Sequence, residues 1–300
     1  MKQVYVGGYG PGIFTLGGGL TRVASPSFLA AHPTLPVLYA AGELQRGWLT
    51  AFQAGGSLSL LDERPSEGDS PCHVAVDPTG SVLAAANYGD GTAVIYRLDS
   101  RGAFEGDPIV LRHKGSGPNK DRQEGPHAHQ AVFHDGILHV SDLGTDEIRR
   151  YRYDGTVLEP IPIHPGTGPR HFGFIGSRLY VAGELNGTVT LIDGERRTVA
   201  PASREEGENY PSHLQIEGDL VYVANRGPNT ISVLRAADLS PVAEVSSGGH
   251  WPRHFAIDGT TMYVAGQQSD VITVFELKDG VPQPSGQAYE VERPACVLIM

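Results

Sequence analysis

Three hundred residues, 40% of them apolar and 19% charged, suffice to bury a large hydrophobic core without help from disulfides or a structural metal. The formal charge of −11 argues against nucleic acid or an anionic membrane as partner, since both require an extended basic surface. A small anionic ligand stays compatible with that charge, because a few clustered arginines set a local field whatever the total.

The chain opens on Met1-Lys-Gln-Val-Tyr-Val-Gly-Gly, a strand pattern with no secretory leader expected before it. No apolar run approaches the ~20 residues that cross a bilayer as a helix. From there one phrase recurs: a Pro, two small or polar residues, then alternating apolar residues. It reads Pro26-Ser-Phe-Leu-Ala, Pro71-Cys-His-Val-Ala-Val, Pro169-Arg-His-Phe-Gly-Phe, Pro211-Ser-His-Leu-Gln-Ile, Pro252-Arg-His-Phe-Ala-Ile and Pro294-Ala-Cys-Val-Leu-Ile, with Ala128-His-Gln-Ala-Val-Phe as a seventh copy carrying Ala in the Pro slot. A second strand follows each phrase and begins near Tyr39, Ala84, His139, Tyr180, Tyr222 or Tyr263, with Tyr5 starting an unpreceded copy; successive gaps are 34, 45, 55, 41, 42 and 41 residues. Third strands start at Trp48, Thr92, Glu147, Thr188, Thr230 and Val271. A more variable fourth strand fits in what remains. Helical spacing is not sustained anywhere.

Four short antiparallel strands in a repeat of roughly 40–45 residues are the pattern of a β-propeller blade. The fold expected is all-β, a seven-bladed propeller in one domain spanning residues 1–300. The last inner strand, from Pro294, lacks a second strand after it, and Val4–Gly8 lacks an inner strand before it. Their pairing closes the ring and removes an open edge.

In three copies the Pro slot lies 11 residues before the second strand (Pro169 to Tyr180, Pro211 to Tyr222, Pro252 to Tyr263). Counting the same distance back from His139 gives Ala128, so His129 shares the slot of Arg170 and Arg253, and His127 lies just outside it. The longest gap contains His113-Lys-Gly-Ser-Gly-Pro-Asn-Lys-Asp-Arg-Gln-Glu-Gly-Pro, a polar segment that delivers the chain to His127. Long ordered connections of this kind are disproportionately functional.

Inner-strand starts and second-strand ends share one end of each blade. His127, His129, Arg170, His171, His213, Arg253 and His254 should therefore ring one channel mouth with Glu43, Tyr88, Asp142, Glu184, Asn225, Arg226 and Gln267. Arginine forks match carboxylate or phosphate, and buried His or Glu can be tuned for proton transfer. The recurrence of His73, His171, His213 and His254 favours a hydrogen bond joining blades. His127 and His129 could both face a metal, yet no third ligand stands at a telling spacing, and no metal or cofactor is expected. Cys72 and Cys296 read as small buried fillers in a reducing, cytoplasmic setting. No nucleophile elbow, phosphate loop or HExxH motif is present.

Gly115-Ser-Gly-Pro-Asn, Arg122-Gln123-Glu-Gly-Pro-His127-Ala-His129, Gly168-Pro-Arg170-His171, Gly183-Glu184-Leu185-Asn186, Ala224-Asn225-Arg226-Gly227 and Pro252-Arg253-His254-Phe255 together resemble the seven-bladed lactonase family. That family includes propeller-type 6-phosphogluconolactonases and fungal carboxy-cis,cis-muconate cyclases, and the resemblance spans essentially the whole chain. It implies a cofactor-independent lactone enzyme whose site residues fall on His127 and His129, Arg170, Glu184 and Arg226. This chain has Ala128 where many relatives have Pro, and Gly183 before Glu184 where many have Asn. On this basis the expected activity is hydrolysis of a sugar-acid lactone such as 6-phosphogluconolactone, with cycloisomerisation of a carboxylated muconate and a non-enzymatic binding platform as alternatives. Arg122, Gln123, Arg253, His171 and Glu43 are expected to contact the substrate. Glu184 or His129 would activate water, and the other, or His127, would protonate the leaving oxygen.

Overall fold

Alternating β-branched and aromatic residues between Gly, Pro, Asn and Asp turns make strands here because each blade buries both its faces against neighbouring blades. The computed structural model describes residues 2–300, and its elements are all strands. They form seven four-stranded antiparallel sheets. Six take consecutive segments of the chain, and the inner strands start at Pro26, Pro71, Ala128, Pro169, Tyr210 and Pro252. The seventh is composite: Pro294–Ile299 is its inner strand and pairs antiparallel with Val4–Gly8, so that Tyr5 faces Leu298 and Val6 faces Val297. Gln3 and Met300 add two backbone bonds of 2.7 and 2.9 Å to the closure. Inner strands touch in succession around the full circle. Among the described residues no helix is long and apolar enough to cross a membrane.

The second-strand tyrosines do more than fill space. Tyr39, Tyr180 and Tyr222 are buried, and their hydroxyls donate to Gly102 O, Ala236 O and Gly280 O at 2.7 Å, each on the following blade. A buried phenol needs such a partner, and here the partner latches one blade to the next. Apolar side chains fill much of the rest of the space between blades, as where Val37, Tyr39 and Leu49 meet Val74, Leu83 and Val94.

Entry into the inner strands has its own geometry. The residue before the Pro slot takes a left-handed conformation in five copies: Ser25, Ser70, Gly168, Trp251 and Arg293, with φ between 45° and 60°. Immediately after it the register slips in each Pro-led strand that starts a consecutive blade, between Pro26 and Phe28, Pro71 and His73, Pro169 and Phe172, Pro211 and His213, and Pro252 and His254. The Ala128 copy has the same slip between Ala128 and Gln130. These β-bulges re-aim the side chain that follows the slot.

Ring closure carries a direct test. Truncation after Arg293 should abolish cooperative thermal unfolding, because it exposes the Val4–Gly8 edge and opens the circle. A truncated chain melting within about 2 °C of the full one would show that closure contributes under ~1 kcal/mol.

Candidate active site

Bulges at the start of the inner strands suspend the usual alternation of side chains, so that consecutive residues can both face the channel. Ser27 and Phe28, Arg170 and His171, and Arg253 and His254 all line one cavity at the channel mouth, with Glu43, Cys72, His129 and Ala295. The cavity itself is small, about 10 Å³, room for one water-sized group, and it opens to solvent. Around its rim stands one residue per blade. Tyr9, Glu43, Tyr88, Leu143, Glu184 and Gln267 each donate their backbone N–H to the carbonyl of the residue preceding the Pro slot. Arg226 holds the corresponding place opposite Tyr210. Asp142 and Asn225, expected at this rim, lie one residue short of it and turn inward to bind loop backbone and side chains.

Glu184 is the electrostatic centre. Arg122 Nη2 donates to its Oε1 and Arg226 Nη2 to its Oε2, each at 2.7 Å. Arg170 Nε lies 2.9 Å from Oε2 but is not directed at it, so this third contact is an ion pair without hydrogen-bond geometry. The Arg170 guanidinium is instead anchored through Nη1 to Ser212 O on the next blade. Arg226 is fixed on further sides: Nε donates to Tyr210 O at 2.9 Å, and its guanidinium lies 5.4 Å from the Trp251 ring centroid. Burial would raise the Glu184 carboxyl, but Arg226, Arg170 and the hydrogen bond from Arg122 hold it well below the usual carboxylate range. Burial and the neighbouring arginines Arg226 and Arg253 meanwhile pull Arg170 down to about 9. One carboxylate faces three guanidiniums here, so positive charge is left over.

His129 occupies the same slot as Arg170 and Arg253, in the bulge between the Ala128–Asp142 and Gln130–Ser141 pairs. It is 4% exposed, lines the cavity, and its Nδ1 is buried without a hydrogen-bond partner. Burial and then the Arg170 charge push the imidazole well below its ordinary pKa, so it sits neutral beside the cation cluster. His127 lies outside the slot. It stacks on Tyr88 at 4.6 Å, and its ring nitrogens meet Tyr88 O at 2.8 Å and Glu124 Oε1 at 3.1 Å.

Beneath the cavity the channel is plugged by rings. His213 and His254 centroids are 3.9 Å apart, Phe28 and His73 4.0 Å, and His171 and His213 5.0 Å. These residues also join blades. Ala131 N donates to His73 Nδ1 at 3.4 Å and Val297 N to His254 Nδ1 at 3.3 Å, while His171 and His213 share a 2.7 Å bond between Nδ1 atoms. Gln130 fills the same place in its blade and accepts from Phe172 N at 2.6 Å. His171 therefore forms cavity floor while its Nδ1 is committed to structure.

Arg122 reaches Glu184 because the long segment before His127 is clamped at both ends and in the middle. Asp142 accepts from His113 Nδ1 at 2.7 Å and His127 N at 2.9 Å. Asp146 accepts from Gln123 Nε2 at 2.8 Å and from Gly166 N and Gly168 N at 2.7 Å, tying this segment to the one that leads into Arg170. Gln123, expected on the substrate, is fully buried, and its amide is spent on Leu143 O, Asp146 and Asn119 N. The structure keeps it away from the cavity, where it acts as the peg that seats Arg122. Arg122 itself is the accessible member of the trio, with 38% of its side chain exposed against 3% for Arg170 and 7% for Arg226. The candidate site also involves Tyr9, Ser27, Trp251 and Asp146, which nothing in the sequence had singled out. Ser27 shares the slot of Arg170, and Tyr9 the place of Glu43 in the split blade, so positional equivalence alone could have found these two. Among the described residues no three His, Cys, Asp or Glu side chains converge as a metal site.

A family model described as lactonase, seven-bladed β-propeller, matches residues 12–299. The chain belongs to this lactonase family. A 6-phosphogluconolactonase from Bacillus subtilis is 30% identical over 255 residues, covering 76% of this chain and 72% of its own length. A protein of the same name from Formosa agariphila is 30% identical over 238 residues, with 71% and 67% coverage. Among solved structures, a Lactobacillus plantarum protein superposes with a TM-score of 0.90 at 26% identity over 100% of both chains. A periplasmic gluconolactonase from Pseudomonas aeruginosa superposes at 0.87 with 23% identity, over 100% of this chain and 99% of its own, a likeness of fold.

The buried imidazoles of this lactonase-family enzyme set its acid limit. Burial holds His73, His129, His171 and His213 well below the ordinary histidine value and His254 at about 3. Their folded pKa values lie below the unfolded one near ~6.5, so the unfolded chain binds protons that the native one refuses. Stability is complete above that value and falls as pH drops through it, by up to ~1.4 kcal/mol per pH unit for each histidine. Near-ultraviolet circular dichroism should show cooperative acid unfolding between about pH 5 and 6. A melting temperature unchanged from pH 7 to 5 would contradict the neutral plug.

Proposed function

We propose that this enzyme hydrolyses a sugar-acid lactone, with 6-phosphogluconolactone as the foremost substrate, in the cytoplasm and without a cofactor. The observation that carries the proposal is the charge inventory of the mouth. Arg122, Arg170, Arg226 and Arg253 stand against Glu184 and Glu43, leaving two positive charges in excess beside a neutral, unpartnered His129. A phosphate monoester carries about −1.5 to −2 near neutral pH and matches that excess. The names of the curated relatives support hydrolysis over cyclisation of a carboxylated muconate.

In this reading His129 accepts a proton from water as its oxygen attacks the lactone carbonyl. Arg170 or Arg226 stabilises the developing oxyanion. The carbon to ring-oxygen bond then breaks, and the imidazolium returns its proton to the departing oxygen, leaving the hydroxy acid. Glu184 is poorly suited as a base, because both of its carboxylate oxygens are already engaged by guanidiniums. Its role is to fix those guanidiniums. Arg122 is the accessible cation of the cluster and the natural contact for the phosphate. His127, with both nitrogens already opposite acceptors, buttresses Tyr88 at the edge.

A lactonase assay with folded variants tests this assignment. His129→Asn should lower kcat about 10²- to 10⁴-fold, the range for a lost general base. Arg226→Ala and Glu184→Gln should each lower kcat/KM at least about 10²-fold, the first by removing an oxyanion donor and the second by releasing its partners. Arg122→Ala should act chiefly on KM. Wild-type-like turnover in His129→Asn would remove His129 from the mechanism, and no lactone turnover by the wild type would overturn the function.

A further inference from the structure

The mouth carries two glutamates at equivalent places on well-separated blades. Glu184 follows Gly183 and its N–H donates to Gly168 O at 2.9 Å; Glu43 follows Gly42 and its N–H donates to Ser25 O at 2.9 Å. Their side chains have different surroundings. Glu184 is held by three arginines, whereas no ion pair engages Glu43 among the described residues. Glu43 Oε2 accepts one bond, from Tyr9 OH at 2.8 Å. The Tyr9 ring is in turn fixed against the Arg253 guanidinium, 5.1 Å from its centroid. Among the described residues Arg253 reaches only Gln267 Oε1, at 3.3 Å, as a side-chain hydrogen-bond partner. Beside them Ser27, 4% exposed, has a buried Oγ with no partner at all. Glu43, Arg253 and Ser27 line the same cavity as His129.

An unpartnered hydroxyl in a buried polar pocket is costly and marks a place where a ligand group or water completes the bonding. The three groups offer complementary chemistry: acceptors from Glu43, donors from Arg253, and either from Ser27. Hydroxyl groups both donate and accept, and so can satisfy all three at once. A phosphate or carboxylate needs donors only and would meet Glu43 as a like charge. We propose that Glu43, Ser27 and Arg253 form a hydroxyl-recognition subsite that admits polyhydroxylated lactones and disfavours lactones bearing a carboxylate at that end. Tyr9 is its positioning residue. The proposal rests on the lactone-hydrolase reading and adds to it an orientation, with the anionic group toward Arg122 and the ring hydroxyls toward Glu43.

The test compares kcat/KM for 6-phosphogluconolactone and its 2-, 3- and 4-deoxy analogues in the wild type, Glu43→Gln and Ser27→Ala. The wild type should prefer the fully hydroxylated lactone over at least one deoxy analogue by about 10- to 100-fold. Each variant, with an unchanged melting temperature, should compress that preference below about 3-fold while keeping turnover of the deoxy lactone. Should Glu43→Gln fail to fold, Ser27→Ala carries the same comparison. Equal losses on all four lactones, or an unchanged preference, would overturn the subsite while leaving lactone hydrolysis standing. A wild type silent on all four would instead overturn the hydrolase reading itself.

Discussion

One displaced residue at the start of each inner strand governs this protein. In a regular strand only alternate side chains could reach the channel. The bulge after the Pro slot aims two neighbours there, one into the open mouth and the next into the plug below it. Ser27, Cys72, His129, Arg170, Arg253 and Ala295 line the mouth, and the next residues Phe28, His73, His171, His213 and His254 stack as the plug. The same backbone device therefore makes both the mouth layer and the floor beneath it.

Electrostatics build on that scaffold. Glu184 gathers three guanidiniums whose like charges would otherwise keep them apart, and the surplus of positive charge is what the proposed anionic substrate would meet. The acidity of the whole chain does not weaken this, because the cluster is buried and acts at short range. Breaking such a buried group by removing one partner is far more disruptive than its presence is stabilising. The cluster is better understood as a device for positioning charge than as a source of fold stability.

Much of this was legible from residues alone. The recurring Pro phrase gave the blades, the orphan strand at each end gave the closure, and spacing placed His129 in the slot of Arg170. The apolar period is enforced by burial on both blade faces, so it is written plainly in the chain. Individual side-chain commitments are not. Gln123 sits beside Arg122 in sequence, but adjacent residues in a tight loop point opposite ways, and only Arg122 reaches the mouth. Asp142 and Leu143 illustrate the same limit, since a one-residue difference in where a strand ends decides which of them stands on the rim. Ser27 and Tyr9 were obscured differently. Neither residue type announces chemistry, and their importance comes from what surrounds them across the ring.

The most direct test of the account is a crystal structure with 6-phosphogluconate, the hydrolysis product, bound. The account predicts density at the channel mouth, with the phosphate on Arg122, the carboxylate beside His129, Arg170 and Arg226, and sugar hydroxyls on Glu43. Product seated in an outer groove between blades, or a mouth left unchanged at saturating product, would contradict it.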